Sequence, residues 1–139
     1  MAIQYRHNEI EWHLFFELRH GTGYRHGSEG YTDAWAIHQY PSSGNNLRVA
    51  YEIKVFRNDF LREIKNTRKR RMALRYSNYF WCIAAAGVAK PDEIPAECGL
   101  IVVEGLEHKK VIEAPYRDSC PPTWQFVASV VRSAKRKTI

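Results

Sequence analysis

Between Leu47 and Phe56 the chain alternates apolar and polar residues with a period of two. Leu47, Val49, Tyr51, Ile53 and Val55 make one face, and Arg48, Ala50, Glu52 and Lys54 make the other. That period is the mark of a β-strand. "YTDAWAIHQY" (31–40) is a second strand candidate, joined to the first by "PSSGNN", whose Asn45-Asn46 pair suits the positive φ angles of a hairpin. Upstream, "NEIEWHLFFELRHG" (8–21) carries helical spacing at Ile10, Leu14 and Leu18. Asn8 is placed to cap that helix, Glu11 to complete a capping box, and Gly21 to stop it. Downstream, "RNDFLREIKNTRKRRMALRYS" (57–77) reads as one long helix, with Asn58 as its cap and Phe60, Leu61 and Ile64 facing inward. "NYFWCIAAA" reads as a buried strand, and "LIVVEG" with "KKVIEA" as a final hairpin or pair of edge strands. "TWQFVASVVRSAKRKTI" reads as a closing amphipathic helix anchored by Trp124 and Phe126. This order predicts an α/β protein, one mixed sheet flanked by helices, in a single domain over residues 1–139.

Composition sharpens the picture in two ways. A hydrophobic content of 45% with 13% aromatics is that of a chain with a packed core rather than a disordered one. The formal net charge of +6 points to an anionic partner, most simply nucleic acid. The excess gathers at Lys65, Arg68, Lys69, Arg70, Arg71 and Arg75, and again at Arg132, Lys135, Arg136 and Lys137. Such runs also arise as plain solvated helix faces. Three cysteines with no CxxC pair fit a reducing, cytoplasmic setting better than a disulfide framework. The longest apolar run, "YFWCIAAAGVA", is too short to span a bilayer, and polar sequence follows Met1, so neither membrane nor signal peptide is expected.

The chemistry lies on the polar face of the first strand. Side chains two apart on a strand share a face at roughly 6 to 7 Å, so Glu52 and Lys54 point into one space. If the two strands pair around the 41–46 turn, Asp33 comes opposite Glu52. Two facing carboxylates, with the Ile53 carbonyl as a third oxygen, suit a hard cation such as Mg²⁺ or, alternatively, Mn²⁺. A Glu-x-Lys on a strand most often only meets water; Asp33 upstream and a basic helix downstream are what favour a site. The glycine-rich stretch "GTGYRHGSEG" is neither a P-loop nor a dinucleotide fingerprint. It reads as a loop bordering the cleft, with Arg25 near a phosphate. The histidines lack paired cysteines and do not suggest zinc, and Cys82 reads as core.

An acid in the first helix, then Asp33, then Glu52-Ile53-Lys54 resembles the PD-(D/E)XK nuclease superfamily. The longer block "YEIKVFRNDFLREIKNTRKRRMALRYSNYFWCIA", with "DEIPAECGLIVVE" and "EAPYR", is similar to MmcB-like putative DNA-repair nucleases and their phage relatives. The resemblance covers roughly residues 9 to 117 and implies a restriction-endonuclease-like α-β-β-α-β core with extra strands and a C-terminal helix. It implies a Mg²⁺-dependent deoxyribonuclease with Asp33 and Glu52 as metal ligands and Lys54 orienting the attacking water. Thr32 stands where the family motif has proline. Glu9, Glu11 and Glu17 all qualify as the helix acid, and the 24-residue spacing to Asp33 favours Glu9. Lys65, Arg68, Lys69 and Arg75 would hold DNA phosphates; RNA is a second candidate substrate, and a homodimer is compatible with the family. The competing expectation is a DNA-binding or scaffold protein of the same fold that cleaves nothing.

Overall fold

The computed structural model describes Ile3 and residues 6–20, 31–41 and 45–137. Arg25 and the rest of the glycine-rich stretch lie outside the described residues. Six strands form one sheet in sequence order: β1 (Trp12–Arg19), β2 (Tyr31–His38), β3 (Arg48–Lys54), β4 (Tyr79–Ala85), β5 (Gly99–Glu104) and β6 (Glu107–Ile112). β1, β2 and β3 are antiparallel neighbours, β3, β4 and β5 run parallel, and β6 returns antiparallel as a hairpin. Parallel neighbours need a crossover. Helices α1 (Arg57–Lys65) and α2 (Thr67–Arg75) make the one between β3 and β4, and α3 (Trp124–Lys137) closes the chain. The mixed α/β architecture is the expected one.

Both faces of β3 are covered. Ala50 joins Phe15, Trp35, Ala73, Leu74, Phe80 and Phe126 in a core under α2 and α3, while Phe60 of α1 packs with Cys82, Ala84 and Leu100. On the opposite face Val49 and Tyr51 pack with Ile3, Ala34, Trp81 and Ile101. The Tyr51 phenol oxygen accepts the Arg6 Nε–H at 3.0 Å and lies 2.6 Å from His7 Nε2. Burial, then the neighbouring Arg6, pushes the His7 imidazole down to about 4. It is therefore neutral where the protein is near neutral pH.

Three expectations are corrected. Residues 12–19 form a strand, not a helix. Asn8 does cap one turn, since its Oδ1 accepts the Glu11 N–H and its carbonyl accepts the Trp12 N–H, both at 2.9 Å. Seven residue pairs with β2 then outweigh helical propagation. Glu17 has φ 53, which resets the alternation and turns both Phe15 and Leu18 into the helix-side core. Residues 57–77 are not one helix either. Asn66 (φ −87, ψ 76) separates α1 from α2, and Phe56 rather than Asn58 occupies the N-cap of α1. Finally, Phe126 anchors α3 but Trp124 does not; it is 87% exposed. Asn45 and Asn46, by contrast, carry the positive φ angles expected of them.

Gly99 opens β5 where the sheet has no room for a side chain. A Cβ there would stand 2.6 Å from both the Ala114 nitrogen and Trp81 Cε3. Gly99→Ala should therefore destabilise the fold by about 1–3 kcal/mol, the usual range for overpacking. Urea unfolding checks this, and an unchanged midpoint contradicts it.

Candidate active site

The β2–β3 register puts Ala34 opposite Tyr51, so Asp33 comes opposite Glu52. Asp33 is held there by its Oδ2, which accepts the Ile53 N–H at 2.8 Å. Glu52 and Lys54 point the same way, into the layer under the helices, and Lys54 Nζ stands 4.0 Å from Glu52 Oε2. The sequence thus correctly brings together Asp33, Glu52, the Ile53 peptide and Lys54. The alternating polar face is not a wet one: Glu52 is 6% exposed.

Two further residues complete the cluster. Glu63 of α1 lies 3.6 Å from Lys54 Nζ. Lys69 of α2 lies 2.6 Å from Glu63 Oε1 and 3.6 Å from Glu52 Oε2. Lys69 was expected among the phosphate contacts at the surface; it is instead turned inward and buried. Lys65, Arg68 and Arg75 are exposed, as an interface needs, and Arg70 is half-buried against Glu97 and the Ile64 carbonyl. A cavity of about 40 Å³ is bordered by Glu52, Lys54, Glu63 and Lys69 on one side and by the apolar Phe60, Ile64, Phe80 and Ile94 on the other; Asp33 does not line it.

Glu9 does not join this cluster. It lies in the exposed turn before β1, and Trp12, the first β1 residue, pairs with His38. Five residue steps along β2, roughly 16 Å of strand, separate that pair from Asp33. Glu9 also lines a different cavity, with His7, Trp12 and His13. Glu11 reaches His38 Nε2 at 3.2 Å, and Glu17 is exposed. None of the three N-terminal acids is a helix acid.

Electrostatics single out Glu52. Burial and then the adjacent Asp33 carboxylate hold its carboxyl well above the ordinary range, against the pull of Lys69. The cations nearest the Glu52 carboxyl stand off from it, Lys69 at 3.6 Å and Lys54 at 4.0 Å. Burial raises Glu63 as well, but the hydrogen bond and charge of Lys69, with Lys54, outweigh it and the net shift is downward. Lys69 is the mirror case: burial lowers it, and Glu52 and Glu63 outweigh that and raise it. Nearby, burial and then the Lys69 charge push His20 down to about 4. This neutral ring contacts Thr32 Oγ1 beside Asp33. Cys82, opposite Glu52 on β4, is pushed up to about 12 by burial and then by Glu52, so it is an inert thiol.

The donor set is all oxygen, which suits a hard cation. Among the described residues, no group of three or more His, Cys, Asp or Glu side chains is arranged to hold a metal. The protein's share would be the two carboxylates and the Ile53 carbonyl, with water for the rest, the manner in which Mg²⁺ is commonly bound. The buried Glu52 carboxyl beside Asp33 has the chemistry for that role.

No protein-family model matches the chain, and no curated protein is similar to it. A solved structure of a protein of unknown function from Silicibacter pomeroyi is similar with a TM-score of 0.62, at 18% identity, covering 96% of this chain and 80% of that one. At that identity the likeness shows the fold alone. Also among the described residues, no helix is long and apolar enough to cross a membrane.

A raised carboxyl pKa in the folded state means that protonated Glu52 is the favoured form. Its contribution to stability is full below the unfolded pKa near 4.5 and is lost as pH rises toward the folded value. Glu52→Gln does not titrate. In buffer with chelator, the variant should therefore gain on the wild type in urea unfolding as pH goes from 5 to 8. A stability difference that stays constant over this range would contradict the electrostatic picture.

Proposed function

We propose that the protein is a metal-dependent nuclease that hydrolyses DNA phosphodiester bonds. The observation that carries this reading is the convergence of Asp33 and Glu52 on one buried face with Lys54 beside them. The resemblance to PD-(D/E)XK nucleases supports it, because its three motif residues are the ones that converge. Asp33 and Glu52, with the Ile53 carbonyl, would hold Mg²⁺ or Mn²⁺. When bound, the ion supplies charge stabilisation at the phosphate and favours hydroxide formation from water. Asp33 is oriented by the Ile53 N–H, which leaves its other oxygen free to point toward the ion or the water. Lys54 donates to the attacking water and fixes its line of approach. Burial strengthens each of these interactions by excluding bulk water. The exposed Lys65, Arg68 and Arg75 would grip phosphates and position DNA without reading its sequence.

A non-cleaving DNA-binding or scaffold protein is the second reading. It is favoured by one observation, that Lys54 and Lys69 already flank Glu52 with positive charge.

Pure protein incubated with supercoiled, single-stranded and branched DNA should cleave with Mg²⁺ or Mn²⁺ and stop with chelator. Asp33→Asn should abolish cleavage. Lys54→Ala should lower turnover about 10²-fold or more while DNA affinity stays within about threefold. Absence of chelator-sensitive cleavage across the panel overturns the nuclease in favour of the second reading.

The basic surface has its own test. Arg68→Glu combined with Arg75→Glu should weaken binding equally on all sequences. It should also flatten the plot of log affinity against log salt by about two units, roughly one per lost phosphate contact. An unchanged slope would make these arginines a solvated helix face.

A further inference from the structure

We infer that Lys69 is a second phosphate-facing lysine of this site and that Glu63 positions it; this deepens the nuclease reading and rests on it. Backbone geometry carries the argument. Residues six apart on a continuous helix point about 120° away from each other, and only those three or four apart meet. Glu63 and Lys69 are six apart, yet Glu63 Oε1 and Lys69 Nζ are 2.6 Å from one another. The break at Asn66 makes this contact. Asn66 leaves helical angles, ends α1 and restarts the chain as α2, its Oδ1 accepting the Lys69 N–H at 3.1 Å. Interrupting a helix orphans backbone groups at both new ends. The interruption delivers one particular side chain, Lys69, to Glu52 and Glu63.

Stability does not explain the delivery. Desolvating each ion costs several kcal/mol, and apolar replacements of buried ion pairs are often neutral or stabilising. The side chains of Lys54 and Lys69 are 14% and 11% exposed and that of Glu52 is 7%, whereas Glu63 is 24% exposed and marks the cluster's most open side. Lys54 is spoken for by the attacking water. A second ammonium on the same cavity, supplied by another element, is placed to stabilise the negative charge that builds on the non-bridging phosphate oxygens. Glu63 faces both ammonium groups, Lys69 at 2.6 Å and Lys54 at 3.6 Å, and offsets their mutual repulsion, which makes it a positioning residue.

Two measurements test this, one independent of turnover. The probe for binding is thymidine 5′-monophosphate with Ca²⁺, followed by calorimetry. Lys69→Met should weaken its binding about tenfold, Lys69→Arg should keep most of it, and Lys109→Met, on the exposed strand β6, should not change it. In cleavage assays Lys69→Met should lower kcat about 10²-fold with KM within about threefold, and Glu63→Gln should lower kcat less, also without raising KM. Circular dichroism and thermal melting verify folding; if Lys69→Met does not fold, Lys69→Gln replaces it. If wild type binds no mononucleotide, or the Lys69 variants bind it as wild type does, the inference is overturned. If no DNA is cleaved but Lys69→Met still loses the mononucleotide, the nuclease reading fails and Lys69 keeps its role as a phosphate ligand.

Discussion

A carboxylate on a covered sheet face is the constraint around which the rest is arranged. Glu52 sits on β3, with helices over it and β4 beside it, and the nearest cation stands 3.6 Å from its carboxyl. Ionising a carboxyl buried in this way is costly, and its protonated form is favoured here. Each neighbour acts on that cost. Asp33 raises it, and is itself tied to the Ile53 N–H so that it cannot swing away. Lys69 and Lys54 lower it without contacting Glu52 closely, at 3.6 and 4.0 Å. The result is a set of charges held near one another but not fully satisfied by one another, which leaves room for a further ligand.

β3 can carry this strain because it is fixed from behind. Tyr51, next to Glu52 and pointing the other way, is fully buried and bonded through its hydroxyl to Arg6 and His7. Arg6 in turn lies over the Trp81 ring, 4.6 Å from its centre. On β4, the inert Cys82 fills the place opposite Glu52 without adding charge. A site on a strand locked from both faces is held more tightly than one on a loop.

What the sequence displays and what it hides follow from this arrangement. Period-two alternation is legible because one face of β3 packs Val49 and Tyr51 into an apolar core while the other carries the charged Glu52 and Lys54; Val55, beyond the strand, is exposed. The Asp33–Glu52 apposition is legible because a hairpin register follows from it. The N-terminal strand is hidden because Ile10, Leu14 and Leu18 stand at helical spacing by chance: Ile10 is exposed, Leu14 packs on one face of the sheet and Leu18, after the left-handed Glu17, on the other. Glu63 and Lys69 are hidden by Asn66: a helical wheel drawn through 57–77 separates them and sends Lys69 to the surface with Arg68. Asn at a potential cap, three residues before Lys69, is the local signal that the helix restarts there. Trp124 shows the limit of counting aromatics as core, since pattern alone does not separate it from the buried Phe126 two residues on.

The helix break and the buried charges are better understood together than apart. A continuous helix over 57–77 would have kept more backbone hydrogen bonds, and an apolar residue at 69 would have spared the cost of burying a charge. The chain does neither, and the two departures meet at one contact between Lys69 and Glu63. Local rules that fail jointly at one place, beside a buried carboxyl, are expected at functional or strained sites, and the nuclease reading takes this one as functional. On that reading the proposed site extends beyond the strand motif of Asp33, Glu52 and Lys54 to the helices above it, with Glu63 and Lys69 inside.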